Sequence, residues 1–387
     1  MLSKNIELVG FEKKIKLSRI RDIWTKIEKK YFDKSDEILN SLSKNFEYSF
    51  DVKEISKFKK FKKFKIFGMG GSILGAQSIY SFLNKKIKKK FIFIKNLDNE
   101  KRLKNEKDFL NIVISKSGNT LETITNLNVS KIKKNCIFIT ENKKSYLRDL
   151  AFKMQAEIID HNKFIGGRYS VLSETGMLPS IFMGLNPDKF KRIDTLIKKK
   201  TFVENLITNV SSIMYFHKKK QNNSIVLNYD NSSNDLFFWY QQLVAESLGK
   251  KKKGLLPIIS NMPKDNHSVM QLYLDGFQNN FYTFFYVDEK KSKKLNNKII
   301  LPSHKFLKNK SISKIIYSQK KASENIFLKK NIPFRSFEVK KRDEKTLGEL
   351  FSFFILETIL LGKCLKLNPY DQPSVELIKK ETKRILL

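Results

Sequence analysis

The sequence predicts an α/β fold built from two tandem three-layer α/β/α sandwiches with mainly parallel sheets, plus N-terminal helices and a C-terminal helix. Two observations predict it. Short apolar runs alternate with helical periodicity between residues 65 and 160, and a second alternation of the same kind covers residues 224–362. Strands that alternate with helices form parallel sheets covered on both faces. We expect an N-terminal helical segment at 1–57, a first domain at 58–200 and a second at 201–387.

The elements follow from these runs. In the first domain we expect helices from residues 73, 121 and 145 and a charged helix after residue 94, between strands at 65–68, 91–94, 112–115, 136–140 and 157–160. In the second we expect helices at 235–247, 267–276 and 346–362 and a last helix from 373, with strands at 224–229, 255–260, 281–287 and 333–339. The apolar run 347–361 is too short to span a bilayer and predicts a core helix.

Composition restricts the class of protein. The 387 residues carry a formal net charge of +37, but the lysines are spread along the chain in short runs and arginine is scarce. Because arginine is the residue that binds bases and phosphates bidentately, we do not expect nucleic-acid binding as the main function. The positive charge would still concentrate a small anionic metabolite. Cys136 and Cys364 lie in apolar runs and predict buried free thiols, and the N-terminus lacks an apolar signal core, so we expect a cytoplasmic protein with no membrane contact.

Two turns rich in glycine and hydroxyl groups follow neighbouring strand-like runs. The first has the sequence GMGGSILG at residues 68–75, and the second has SKSGNT at residues 115–120. Glycine turns let backbone N–H groups approach an anion, and the start of the following helix adds a favourable dipole. Each turn alone is equally an ordinary strand-to-helix connection. Together they predict one phosphate pocket at the carboxyl edge of a parallel sheet.

Three further residues are candidates for chemistry. Glu246 ends an apolar helix, where partial desolvation suits a general base, although it is also consistent with a surface glutamate. His267 lies at an expected helix start with Asp265 or Asn266 as cap, a position that suits acid–base work but also a structural histidine. Arg168 follows two glycines and is suited to stabilise an oxyanion or to form a buried ion pair.

These stretches together resemble the glucose-6-phosphate isomerase family, whose members are built from two sugar-isomerase (SIS) domains. The similarity runs from Gly68 nearly to the C-terminus, in the family's order. It rests on five segments: residues 68–75, 115–123, 166–170, 246–250 and 368–376. Asn119 and Ser374 stand where the family usually has threonine and glycine.

The resemblance implies a role for each matching residue. Glu246 would move a proton between C2 and C1 of the sugar, Arg168 would stabilise the cis-enediolate and its attached oxygens, and Lys379 would assist at the ring oxygen or the hydroxyl groups. His267 would open the ring from the neighbouring subunit, which implies a homodimer with a shared active site. Gln372 would line the pocket, and the sugar phosphate would be held by Gly71, Ser72, Ser115, Lys116, Ser117 and Thr120.

The expected reaction is therefore the exchange of glucose 6-phosphate and fructose 6-phosphate, an aldose–ketose isomerisation of glycolysis and gluconeogenesis. It needs a phosphate anchor, a base, a cation for the enediolate and a group that opens the ring, and we expect no metal and no organic cofactor. Two alternatives stay open at this point. One is a bifunctional phosphoglucose/phosphomannose isomerase on the same fold. The other is a non-catalytic SIS protein that binds a sugar phosphate and regulates transcription.

Overall fold

The computed structural model describes residues 1–98, 108–132 and 134–387. The strands within these residues are β1 (Ile6–Val9), β2 (Lys63–Phe67), β3 (Lys90–Ile94), β4 (Phe109–Ile114), β5 (Cys136–Thr140), β6 (Glu157–Asp160), β7 (Asn223–Asn228), β8 (Leu256–Asn261), β9 (Asn280–Val287) and β10 (Phe334–Val339).

The α-helices alternate with these strands, and they include two, Glu174–Phe182 and Ile312–Lys329, for which the sequence predicted no helix. They are α1 (Ser18–Phe32), α2 (Glu37–Asn40), α3 (Gly71–Phe82), α4 (Leu121–Val129), α5 (Tyr146–Lys153), α6 (Glu174–Phe182), α7 (Ile193–Leu196), α8 (Lys200–Lys218), α9 (Asn234–Leu248), α10 (Met270–Asp275), α11 (Ile312–Lys329), α12 (Glu344–Cys364) and α13 (Val375–Leu386). The charged helix expected after residue 94 falls mainly on residues 99–107, which lie outside the described residues.

The first sheet is entirely parallel and has the strand order β3-β2-β4-β5-β6. Every residue of β4 and β5 is buried, because helices cover both faces of the sheet and the chain supplies apolar side chains to both. The strands β5 and β6 have the bounds that the sequence predicts. These observations confirm the α/β class for this half of the chain.

The second sheet has the order β1-β10-β9-β7-β8, in which β7 to β10 are parallel and β1 is antiparallel. Ile6 pairs with Val339, so the beginning of the chain covers the open edge of β10. The expectation of only helices before residue 58 was therefore wrong for residues 6–9. The domain boundaries predicted at 57/58 and 200/201 stay predictions.

The helix α12 passes through the centre of the second half and is buried on nearly every side. This confirms the prediction that the apolar run 347–361 forms a core helix. Both cysteines are buried and free, also as predicted. A search of the described parts of the chain finds no helix with the length and apolarity needed to cross a bilayer.

Two helices join the halves. The helix α3 follows the first glycine turn in the first half, and α9 carries Glu246 in the second half. They pack against each other along their lengths and run antiparallel, since Gly70 at the start of α3 contacts Gln242 near the end of α9. This packing brings the carboxyl edge of the first sheet next to the C-terminal turn of α9.

Candidate active site

The first glycine turn connects β2 to α3 at residues 68–70. Gly70 has a φ of +52°, and a Cβ atom there would lie 2.8 Å from Nε2 of Gln242. A Cβ atom on Gly71 would overlap the backbone of Gly167 and Arg168. Both positions therefore require glycine. The close approach leaves the first turn of α3, with half-buried Ser72, at the junction of the two halves.

The second turn connects β4 to α4. Gly118 has a φ of +67°, and a side chain there would overlap Ser145. The hydroxyl groups of Ser115 and Thr120 lie 2.7 Å apart, and Ser117 Oγ accepts a hydrogen bond from the Asn119 N–H (3.2 Å). Asn119, which departs from the family's usual threonine, accepts from the N–H of Tyr146 with its Oδ1 atom (3.0 Å) and so fixes the turn against α5.

The structure places the two turns side by side. The strands β2 and β4 are neighbours, with Phe67 opposite Val113, and a Cβ atom on Gly68 would be 3.1 Å from the carbonyl oxygen of Ile114. Lys116 lies at the rim of this region. Its Nζ atom donates to the carbonyl of Lys163 (2.7 Å) and is 3.5 Å from Glu141 Oε1. Burial lowers the pKa of Lys116, and the Glu141 carboxylate opposes that shift. A bound anion would likewise stabilise the charged ammonium.

Arg168 is the most completely bonded side chain of the region. It lies in a short 3₁₀ turn, Gly167–Leu172, and is only 1% exposed. Its Nε atom donates to Ser247 Oγ (2.7 Å), Nη1 donates to Gln372 Oε1 (2.7 Å), and Nη2 donates to the carbonyl oxygens of Pro369 (2.7 Å) and Asp371 (3.2 Å). A buried guanidinium needs such partners because burial removes its water. These contacts hold the planar cation in one orientation.

Glu246 faces this fixed cation. Its Oε1 atom is 3.2 Å from Arg168 Nη1, and its Oε2 atom accepts a hydrogen bond from Gln242 Nε2 (2.8 Å). The Glu246 side chain is 21% exposed, so its carboxylate is accessible to a ligand. The Arg168 side chain is only 1% exposed and is covered by its own partners. The result is a carboxylate held between the arginine and the first glycine turn. Such a group is placed to take a proton from a substrate whose phosphate is bound at that turn.

The structure brings most of the predicted site residues together. Gly71, Arg168, Glu246 and Gln372 are joined by direct contacts, and the neighbouring strands bring the second turn beside them. Gln372 is bonded to Arg168 although it is an exposed residue. The arrangement offers an anion site, a fixed cation and an accessible base within one region.

His267 and Lys379 are not brought to Glu246 within one chain. His267 is exposed and makes no hydrogen bond or ion pair with the described residues. The prediction that it starts a helix was wrong: it ends a short 3₁₀ turn, Lys264–His267, and α10 begins at Met270. Asp265 caps no helix at His267, because its carboxylate accepts from the N–H of Asn261 (2.7 Å). Lys379 is exposed on α13 and pairs with Glu376 (2.7 Å).

Sequence reasoning missed the residues that orient the predicted ones. Gln242 lies one helical turn before Glu246, and this spacing of four residues was the signal that could have identified it. Ser247 is wholly buried and bonds both Arg168 and the hydroxyl of Tyr169 (2.8 Å). Trp239 Nε1 donates to the carbonyl of Arg168 (3.1 Å). No local pattern marks Trp239, since its partner is remote in the sequence.

Comparison with known proteins agrees with this geometry. The sequence model described as phosphoglucose isomerase matches residues 44–262, more than half of the chain. The chain belongs to the phosphoglucose isomerase family. It is 30% identical over 342 residues to the glucose-6-phosphate isomerase of Methanocaldococcus jannaschii, an alignment that covers 82% of this chain and 83% of that protein. The family resemblance expected from the five segments is thus confirmed.

Two solved structures superpose on most of this chain with the same fold. A hypothetical protein from Thermus thermophilus superposes with a TM-score of 0.82 at 21% identity and covers 96% of both chains. A glucose-6-phosphate isomerase from Chlamydia trachomatis gives a TM-score of 0.70 at 19% identity, covering 86% of this chain and 72% of that one. At these identities the two structures support the fold, and they confirm the predicted tandem α/β architecture.

Proposed function

We propose that the chain interconverts glucose 6-phosphate and fructose 6-phosphate through a cis-enediolate, with Glu246 as the base. Membership of the phosphoglucose isomerase family supports the reaction. The single observation that carries the assignment of Glu246 is its position: a partly exposed carboxylate lies between a buried arginine and the turn proposed to hold the phosphate. A regulatory protein that only binds a sugar phosphate has no need of that arrangement.

The first half of the chain binds the phosphate. The start of α3, which no side chain caps, lies at the junction between the halves, and the second turn adds hydroxyl groups and one ammonium. The residues proposed for this task are Gly71, Ser72, Ser115, Lys116, Ser117 and Thr120.

The second half supplies the base for proton transfer. Glu246 takes the proton from C2 of the aldose and returns it to C1. The buried positive charge of Arg168 stabilises the negative charge that develops on the sugar oxygens through its electric field, since its nitrogen atoms are already bonded to protein groups. Gln372 lines the pocket from its bond to Arg168. Because Arg168 is already oriented by its own partners, little reorganisation is needed when the enediolate forms.

Ring opening requires a further group beside Glu246, and within a single chain His267 does not contact that residue. His267 performs it from a second subunit of a homodimer, and its exposed imidazole, free of partners within the described residues, is available to a neighbouring copy. Lys379 acts at the ring oxygen. That role requires α13 to take a position in which Lys379 leaves Glu376 and turns toward the sugar. We also place the enzyme in the cytoplasm, on the evidence of two buried free thiols.

The test is a coupled assay of fructose 6-phosphate conversion by the wild type and by Glu246→Gln. The substitution keeps the size of the side chain but removes the base, so we expect kcat to fall by about 10²–10⁴-fold with sugar-phosphate affinity largely kept. Glu204→Gln is the control, because Glu204 is a carboxylate that pairs with Arg21 on another surface. Retention of most activity in Glu246→Gln would show that another residue is the base.

A further inference from the structure

The helices α3 and α9 hold the two working parts of the site at a fixed separation. The phosphate turn is at the start of α3, and Glu246 is in the last turn of α9. Because the helices are antiparallel, these two ends lie together, and Gln242 bridges them by contacting Gly70 and bonding Glu246. Any sliding of one helix along the other changes the distance between phosphate and base.

The opposite ends of the same helices are joined through Asp235. Its Oδ1 atom accepts a hydrogen bond from Gln77 Nε2 (2.9 Å), and its Oδ2 atom accepts one from Ser81 Oγ. Ser78 Oγ donates to the backbone carbonyl of the same residue (2.7 Å). Three side chains from two successive turns of α3 therefore converge on the first turn of α9.

These bonds lie in a largely buried setting. The Asp235 side chain is 15% exposed, Ser78 is fully buried, and the only cation near the carboxylate within the described residues is Lys95, at 4.0 Å. Apolar packing between the helices has little directional preference. Hydrogen bonds are directional, so the Asp235 cluster is the part of the contact that specifies the register.

The magnitude of a register error follows from helix geometry. A helix rises 1.5 Å per residue, so a slip of one residue moves Glu246 by about that distance relative to the phosphate turn. A displacement of about 1 Å is enough to cost about 10²-fold in rate at a positioned catalytic group. A carbon–carbon bond of a sugar is about as long as this displacement. A slip of one residue between α3 and α9 would therefore change the distance from phosphate to base by about one carbon of the sugar chain.

We propose that Asp235 is a positioning residue that fixes this register and thereby the chain length of the sugar phosphate that the site accepts. The inference rests on the proposed function, since it takes the first turn as phosphate anchor and Glu246 as base. Asp235 lies in the first turn of α9, beside the end of α3 and away from the phosphate turn and Glu246, so it does not need to contact the substrate.

The experiment measures binding of aldonic acid phosphates that differ by one carbon, by titration calorimetry with the wild type and with Asp235→Ala. We expect the wild type to prefer one length. In Asp235→Ala that preference should become at least about fivefold weaker and kcat should fall by about 10-fold, because the distance from phosphate to base is no longer fixed. Asp235→Asn keeps the Oδ1 acceptor for Gln77 and should restore most of both values.

Asp343→Ala is the matched control. Asp343 caps α12 by accepting from the Thr346 N–H (2.9 Å) and touches neither α3 nor α9 in the described contacts. Its loss should lower thermal stability and leave the length preference unchanged. If Asp235→Ala fails to fold, Gln77→Ala removes one of the three bonds and should weaken the preference in the same direction.

The outcomes separate this inference from the proposed function. A parallel loss of affinity for all chain lengths, or an unchanged preference in a folded Asp235→Ala protein, would overturn the positioning role while wild-type turnover still supports the isomerase. A wild type without turnover would contradict the proposed function instead. Calorimetry does not depend on turnover, so the length preference is measured in either case.

Discussion

The first four strands of each half, β2–β5 and β7–β10, have the same order, but the halves use opposite ends of the helix that follows their first strand. In both sheets the first strand of the half is flanked by the second and the third, and the fourth follows the third. After β2 the chain makes a glycine turn, and no side chain caps the start of α3. After β7 it makes a turn whose polar groups bind one another: Asn228 Nδ2 donates to the Asp230 carbonyl (2.9 Å) and Arg342 Nη2 donates to Asp230 Oδ1 (2.7 Å).

The difference teaches how one topology supports two tasks. A turn of glycines lets an anion approach the backbone at a helix start, whereas the turn after β7 is occupied by its own polar side chains. The second half therefore contributes from the far end of its helix, where Glu246 lies. Since α3 and α9 are antiparallel, the glycine turn and the far end of α9 meet in one place.

Two ion pairs, each with a buried arginine and a glutamate, show a similar difference between a site open to a ligand and a closed one. Arg168 pairs with Glu246, whose side chain is 21% exposed, while Arg335 pairs with Glu357, whose side chain is 2% exposed. Arg335 also donates to Thr283 Oγ1 (2.9 Å) inside the second sheet. The first pair has an accessible carboxylate, and the second is closed to any ligand. We infer that the second pair serves stability alone.

The largest effect should come from replacing the two arginines by lysine in turn. Arg168→Lys removes the planar fork that bonds Ser247, Gln372 and the backbone, so we expect kcat to fall by about 10²–10³-fold. Arg335→Lys should lower the free energy of unfolding by about 1–3 kcal/mol and leave kcat unchanged. Steady-state kinetics and denaturant unfolding of both proteins measure this. Equal kinetic losses would remove the distinction between the pairs.

An intermediate effect should come from mixing two inactive variants, Glu246→Gln and His267→Ala. If His267 serves the neighbouring subunit, each mixed dimer has one complete site. Random reassociation then restores about a quarter of wild-type activity, since half of the dimers are mixed. Activity is measured after the two proteins are unfolded and refolded together. A mixture no more active than its components would show that His267 acts within its own chain or not at all.

The smallest effect should come from removing one hydroxyl from each half. Ser115→Ala deletes a group proposed to bind phosphate, and we expect KM to rise by about 10-fold with kcat little changed. Ser336→Ala deletes a buried hydroxyl of β10 that has no hydrogen-bond partner within the described residues, and KM should not change. An effect of Ser115→Ala on kcat alone would contradict its role as an anchor.

Local patterns predicted much of the fold. The alternation of apolar runs gave β5 and β6 their observed bounds, and the apolar run in α12 identified the core helix. The strand β1 was missed because its four residues are too few for a periodic signal and its partner, β10, is remote in the sequence. Pairing across such a separation leaves no local trace.

The site residues also divide into those that a local pattern marks and those that depend on packing between remote segments. Arg168 and Glu246 were identified from their motifs, and the structure joins them directly. The dipole argument for His267 failed because the chain forms a short 3₁₀ turn there instead of a helix start. Gln242 and Asp235 were missed because their importance depends on the packing of α3 against α9. The sequence of either helix alone does not show which residues face each other when the two helices pack.

The strand β1 has one more consequence, for the order in which the protein is completed. A ribosome makes Ile6 long before Val339, and the two must meet as neighbours. Residues 6–9 therefore have no partner strand while the first sheet, whose strands are close in sequence, can already assemble. Closing this edge of the second sheet follows the synthesis of strands β2 to β9.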